Sequence, residues 1–122
     1  MRALCDTNIV IDLLSGLPQA SRELEKFDEI FLSRITWMEV LVGAPDKATD
    51  ELWRRWLGNF NIVELDEPIA TEAVGLRRTH CIKLPDAIVW ASARSRDLLL
   101  LTRNSKDYPK SEPGIRIPYK LS

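Results

Sequence analysis

The run Leu98-Leu99-Leu100-Leu101 constrains this chain more than any other stretch. A continuous apolar run bounded by polar sequence marks a strand buried on both faces, and such strands belong to parallel sheets covered by helices on each side. The run stops at Thr102, and Arg103-Asn104-Ser105-Lys106-Asp107 turns polar at once. In an open parallel sheet, ligands bind beyond the carboxyl ends of the strands, so that abrupt end is a place to look for chemistry.

The rest of the chain supplies strands and helices in alternation. Met1 to Cys5 reads as a first buried strand, and Asn8 to Leu14, dense in Ile9, Val10, Ile11, Leu13 and Leu14, as a helix packed on the sheet. Pro18 to Phe27 reads as a surface helix with proline near its start. Glu29 to Ser33 is a second strand, followed by a helix that Thr36 is placed to cap and Gly43 to end. Ala48 to Gly58 forms an amphipathic helix, Asn61 to Leu65 a third strand, and Pro68 opens a helix that finishes at Arg77, Arg78 and His80. Leu84-Pro85-Asp86 starts a central helix, and Ile115-Arg116-Ile117 is a short edge strand. Alternation of this kind predicts right-handed crossovers, a mainly parallel sheet and a three-layer α/β/α sandwich.

At 122 residues and 45% apolar content the chain fits one domain, residues 1–122, with a substantial core. Seventeen Lys plus Arg against 18 Asp plus Glu leave a net charge of -1, which excludes affinity through one large basic surface. Contact with nucleic acid must then come from local clusters. Cys5 and Cys81 stand far apart and His80 is the sole histidine, so a zinc site is not expected. No apolar stretch approaches 18 residues and the N-terminus has no leader-like run, which points to a soluble cytoplasmic protein with no membrane partner.

The parallel topology brings a set of acids to one rim. Asp6 ends the first strand, Glu39 lies in the helix after the second, Asp86 opens the helix before the fourth, and Asn104 and Asp107 follow the fourth. Each has an ordinary alternative: Asp6 caps a helix, and Glu39 faces water. Carboxylates held together repel unless protons or divalent cations offset them, and oxygen-only ligands select Mg²⁺ or Mn²⁺. A carboxylate-bound cation of this kind keeps waters and takes phosphate oxygens, the chemistry of phosphodiester hydrolysis by an activated water.

Asp6-Thr7-Asn8, Glu39, Leu84-Pro85-Asp86-Ala87 and Leu101-Thr102-Arg103-Asn104-Ser105-Lys106-Asp107-Tyr108, in this order and over nearly the whole length, resemble the PIN-domain ribonucleases. Within that family they resemble the VapC-type toxins of bacterial and archaeal toxin–antitoxin pairs. The resemblance implies a PIN fold with Asp6, Glu39, Asp86 and Asp107 as an acidic metal site, and an Mg²⁺- or Mn²⁺-dependent endoribonuclease that stops translation. It also implies a homodimer, and inhibition by a VapB-like antitoxin whose segment enters the active-site groove. Thr7, Asn8, Thr102 and Asn104 fall at the family's supporting polar positions, and either Asn104 or Asp107 serves the fourth ligand place.

Asp6 and Asp86 are the expected direct metal ligands; Glu39 binds metal or orients water, and Asp107 acts through water or a second ion. Arg103 and Lys106 flank the last acid as candidate RNA phosphate contacts or solvated loop charges. Asp12 points to the same rim or simply lies on a surface helix. Trp53, Arg54 and Trp56 form a candidate partner surface, although tryptophans filling a gap between helices explain the run equally well. His80 has no triad-like companions to make it a catalytic base. Two other classes fit less well. An aspartate-nucleophile phosphatase wants a second acid where Asn8 stands, and a phospho-acceptor signalling domain wants paired acids after the first strand. A PIN fold with weak catalysis, kept as a binding module, is the remaining alternative.

Overall fold

Five short strands form a single parallel sheet: β1 (Arg2–Cys5), β2 (Glu29–Ser33), β3 (Asn61–Val63), β4 (Leu99–Leu101) and β5 (Ile115–Arg116), in the spatial order β3-β2-β1-β4-β5. The computed structural model describes residues 1–109 and 111–121. Six helices complete it: α1 (Thr7–Leu14), α2 (Pro18–Leu24), α3 (Arg34–Val42), α4 (Lys47–Leu57), α5 (Glu67–His80) and α6 (Leu84–Ser95). No helix among the described residues is long and apolar enough to cross a membrane.

Alternation of side chains along the strands splits the interior into two cores, because successive residues of a strand point to opposite faces. Leu4, Phe31, Val63 and Leu100 face one way, against Trp90, Ile88 and Ala91 of α6 and Ile69, Ala73 and Leu76 of α5. Ala3, Cys5, Leu32 and Leu101 face the other way, against Ile9 and Val10 of α1, Val40 and Leu41 of α3 and Leu57 of α4. The result is the expected three-layer α/β/α sandwich. The leucine run lies where its composition demands, with Leu100 and Leu101 fully buried on opposite faces. Register places Cys5 beside Leu101, and the Asp6 amide donates to the Leu101 carbonyl (2.9 Å), so the ends of β1 and β4 are fastened together.

Several boundaries differ from the expectation, each for a local reason. Ser33, not Thr36, caps α3: it is the last extended residue of β2, and its hydroxyl accepts from the Ile35 amide (3.4 Å). Thr36 lies one turn inside the helix, fully buried. β3 ends at Val63, where Glu64 turns outward to meet Arg34 in a bidentate pair. α2 ends at Leu24, ahead of the expected Phe27.

The tryptophans of α4 are half-buried, packed on the second core, with Trp56 edge-on to Phe60 at 5.1 Å. Arg54 is paired with Asp50 and stacked over Trp37. Gap-filling therefore accounts for much of that run; its outward part is Leu52 and Arg55.

Candidate active site

Asp6 is the acid held most tightly, and it both caps a helix and faces the rim. Its backbone is extended at the junction of β1 and α1, and its Oδ1 accepts from the Thr7 amide at 2.8 Å. The other oxygen, Oδ2, accepts from the buried Thr102 hydroxyl at 2.8 Å and more weakly from Asn8 Nδ2 at 3.5 Å, with the Tyr108 hydroxyl 3.4 Å away. Burial pushes this carboxyl above its usual range, the Thr102 and Thr7 hydrogen bonds oppose that push, and the charge of Glu39 adds to it.

The supporting hydroxyls and amides form one network. Thr102 Oγ1, which donates to Asp6, accepts from Asn8 Nδ2 (3.2 Å) and from the Asn104 amide (3.0 Å). Asn8 Oδ1 in turn accepts from the Arg103 amide at 3.0 Å, locking the start of the loop after β4 onto α1. Thr7 donates its hydroxyl proton to Glu39 Oε1 at 2.7 Å and lies 3.1 Å from the Thr36 hydroxyl. Glu39 is exposed, so its position is fixed by that hydrogen bond and not by burial.

Asp86 sits in the first turn of α6, half-buried. Its carboxyl is pushed up to about 6, by burial first and then by the charges of Asp6, Asp107 and Glu39, with Lys83 opposing. The Tyr108 hydroxyl, 3.2 Å from the Asp86 carbonyl oxygen, bridges this turn to Asp6. Asn104 Nδ2 donates to Asp107 Oδ2 at 2.8 Å, and Asn104 Oδ1 accepts from the Asp107 amide at 3.2 Å. Asn104 therefore serves Asp107 as a support. Asp6, Glu39 and Asp107 all act on Asp86, and Tyr108, quoted in the sequence motif without a role, touches both Asp6 and the Asp86 backbone, as Thr7 touches both Asp6 and Glu39.

Arg103 does not project toward the rim. Its guanidinium grips Asp12 through two hydrogen bonds of 2.5 and 3.1 Å, and Tyr119 donates to the same carboxylate at 2.9 Å. Asp12 is thus buried in a three-residue network that ties the C-terminal segment to α1. Nothing in the local pattern around Asp12 signals this, because its partners lie 91 and 107 residues away. Lys106 is exposed beside Asp107.

Among the described residues, no three His, Cys, Asp or Glu side chains converge as placed into a ready-made metal cluster. The donor set nonetheless fits a hard divalent cation: it is all oxygen, and burial first and neighbouring carboxylates second raise the proton affinity of Asp86 and Asp6.

Between α1, α3 and α4 lies a cavity of about 290 Å³ that Glu39 shares with Ile11, Leu14, Val40 and Trp53. It opens an apolar path beside the acid rim.

Comparison with known proteins agrees with this geometry. Residues 3–109 match the PIN domain. A toxin–antitoxin complex from Klebsiella pneumoniae contains a chain 44% identical, with 98% of this chain and 99% of that one covered and a TM-score of 0.91. A VapBC2 complex from Rickettsia felis, bound to a DNA fragment from its promoter, matches at 20% identity over 94% and 96% of the two chains, TM-score 0.78. A DNA-bound VapBC from Salmonella typhimurium matches at 20% over 95% and 96%, TM-score 0.75. Comparison with curated proteins returned no match. The sandwich, the order of its strands and the acids at their carboxyl ends, together with the match over residues 3–109, place this chain in the PIN-domain family.

Proposed function

We propose that this chain is an Mg²⁺- or Mn²⁺-dependent endoribonuclease, the VapC-type toxin of a toxin–antitoxin pair that blocks translation in the cytoplasm. The observation that supports the reading is the half-buried Asp86 carboxyl, which feels the charges of Asp6, Asp107 and Glu39 at one rim of the sheet. The 44% identity to a chain of a toxin–antitoxin complex supports the toxin assignment.

In this reading Asp6 and Asp86 hold the cation, Thr102 and the Thr7 amide fix the direction of the Asp6 oxygens, and Tyr108 fixes the turn that carries Asp86. A bound divalent cation lowers the pKa of a water and offsets the charge on phosphate oxygens. Glu39, aimed by Thr7, would orient an attacking water toward phosphorus. Asp107, aimed by Asn104, would act through a water or hold a second ion. One P–O bond would form to the water oxygen as the ester P–O bond breaks, the water giving up a proton to solvent and the leaving oxygen taking one from solvent.

A cognate VapB-like antitoxin places an apolar segment in the cleft lined by Ile11, Leu14, Val40 and Trp53, reaching Glu39. The exposed Met38 and Val42, one turn apart on α3, form the self-association face of a homodimer.

The test is cleavage of a structured RNA by purified protein with Mg²⁺ or with EDTA. Cleavage that needs the cation and disappears in Asp6→Asn supports the reading. Cleavage that persists in EDTA, or is undiminished in Asp6→Asn, refutes it.

A further inference from the structure

A polyanion approaching four carboxylates is repelled by them, and a bound cation offsets only part of that charge. The chain as a whole is slightly acidic, so attraction for a nucleic acid must be local. Arg103, the basic residue nearest the fourth acid in sequence apart from Lys106, is taken up by Asp12. Arg34, Arg54, Arg94, Arg116 and Lys26 are likewise paired with carboxylates.

Exposed cations outside those pairs include Arg22, Lys47, Arg55 and Lys106, and a cluster of three at the turn from α5 to α6. Arg77, Arg78 and Lys83 are exposed, and none makes an ion pair with a described carboxylate. Glu72, further back on α5, is occupied by Arg94.

This turn is joined to the acid rim by direct packing. Cys81, in the left-handed conformation (φ 54°), ends α5, and Lys83 stands at the start of α6, three residues before Asp86. The His80 ring lies 4.9 Å from that of Trp90, Trp90 meets Tyr108 edge-on at 5.9 Å, and Tyr108 reaches Asp86 and Asp6. Lys83 is close enough for its charge to be felt at Asp86.

We infer that Arg77, Arg78 and Lys83 form the track that holds the phosphate backbone of the RNA beside the acid rim, an inference that rests on the nuclease reading above. The track is short and sequence-independent, and Lys83, three residues before Asp86 and felt by its carboxyl, marks the end of it nearest the acid rim. Base identity plays no part in it, since phosphate contacts position a nucleic acid without reading it.

The measurement is binding of a labelled single-stranded RNA to metal-free protein in EDTA, followed by anisotropy at increasing salt. For single strands each phosphate contact contributes about 0.7 to the slope of log affinity against log salt. Three contacts make about 2 units of slope, equivalent to about a hundredfold in affinity at 0.1 M salt. Arg77→Gln/Arg78→Gln/Lys83→Gln is expected to lose both. Arg22→Gln/Lys47→Gln, which removes two exposed cations from α2 and α4, is expected to bind as wild type does. Should the triple variant fold poorly, Arg78→Gln alone is expected to lower the slope by about 0.7.

An unchanged slope in the triple variant, while wild type binds and cleaves RNA, overturns this inference and leaves the nuclease reading standing. An equal loss in Arg22→Gln/Lys47→Gln overturns it as well, since the effect is then one of net charge. Polyglutamate bound in preference to RNA, and lost in the triple variant, overturns it in favour of an acidic protein partner. Wild type that neither binds nor cleaves RNA removes the nuclease reading and the inference together.

Discussion

Thr102→Val is the substitution that separates the chemistry of the site from its packing. Thr102 is fully buried at the end of β4, and valine reproduces its shape without its hydroxyl. That hydroxyl gives its proton to Asp6 Oδ2 and accepts from Asn8 Nδ2 and from the Asn104 amide. A hydrogen bond to a charged group is worth about 1.5–3 kcal/mol, and leaving a partly buried donor unmet adds to that, so a loss of about 3 kcal/mol is expected at a pH where Asp6 is ionised. The loss depends on pH in a definite direction. Burial raises the folded-state pKa of Asp6, so ionising it costs stability progressively as pH rises from its unfolded value through its folded one. Removing Thr102's proton raises that folded pKa further, and the variant suffers most where Asp6 is charged. In acid, where Asp6 is neutral, the lost interaction is an ordinary hydrogen bond of about 1 kcal/mol.

Urea unfolding of wild type and variant at the highest and at the lowest pH at which both are folded measures the two values. Thr102→Ser keeps the hydroxyl and is expected to cost about 0.8 kcal/mol at either pH, the value of one buried methyl group. A Thr102→Val penalty that does not shrink in acid, or one no larger than that of Thr102→Ser, refutes the account of Asp6 as a buried carboxylate held by that proton.

Other outcomes follow from the same geometry. Asp86 titrates at about 6 when folded, so in the metal-free chain it destabilises increasingly as pH rises from about 4 through 6; Asp86→Asn should melt higher than wild type above that window and no higher below it. The same variant should blunt the rise in melting temperature that Mg²⁺ gives wild type by mass action, read by calorimetry with and without the ion. Arg103→Met strands the buried Asp12 with Tyr119 as its remaining partner and should cost about 2–3 kcal/mol in urea unfolding, less than the roughly 3–5 kcal/mol of a fully buried pair because Arg103 is partly exposed. Ile11→Glu places a charge at the cleft beside Glu39 and should abolish antitoxin capture in pull-down while leaving RNA cleavage intact; full antitoxin binding refutes that surface. Val42→Glu, at a residue 85% exposed, should shift sedimentation toward monomer without lowering the melting temperature.

How much of this was legible in the sequence varies with the distance over which a residue's partners act. Leu98 to Leu101 announced a two-faced parallel strand because burial on both faces is written in consecutive residues, and β4 lies there with Leu100 and Leu101 at the heart of separate cores. The acids were legible because topology alone takes strand ends to one rim. Asp12 was not: its position on α1 offers the same local pattern whether it faces water or a partner, and Arg103 and Tyr119 come from the far end of the chain. The cap of α3 was misplaced for a smaller reason. Ser33 and Thr36 are both good caps, and the choice falls to Ser33 because the strand is still extended there.

The four acids are held with unequal stiffness, and that inequality fits the division of labour proposed for them. Asp6 is buried, sits on a strand end and is gripped at both oxygens, so it cannot shift without disturbing β1, α1 and β4 together. Asp86 rides on a long helix packed in the first core, with Tyr108 against its backbone. Glu39 is exposed and held by one threonine, and Asp107 lies in a loop held by one asparagine. A cation that keeps several waters demands near-octahedral geometry from few protein oxygens, and these are best supplied by the two rigid acids. Orienting a water and following a moving phosphate ask for the opposite property. In the proposed reading the tightly held pair would define where a cation sits, and the pair held by single hydrogen bonds would adjust to a substrate brought across it by Arg77, Arg78 and Lys83.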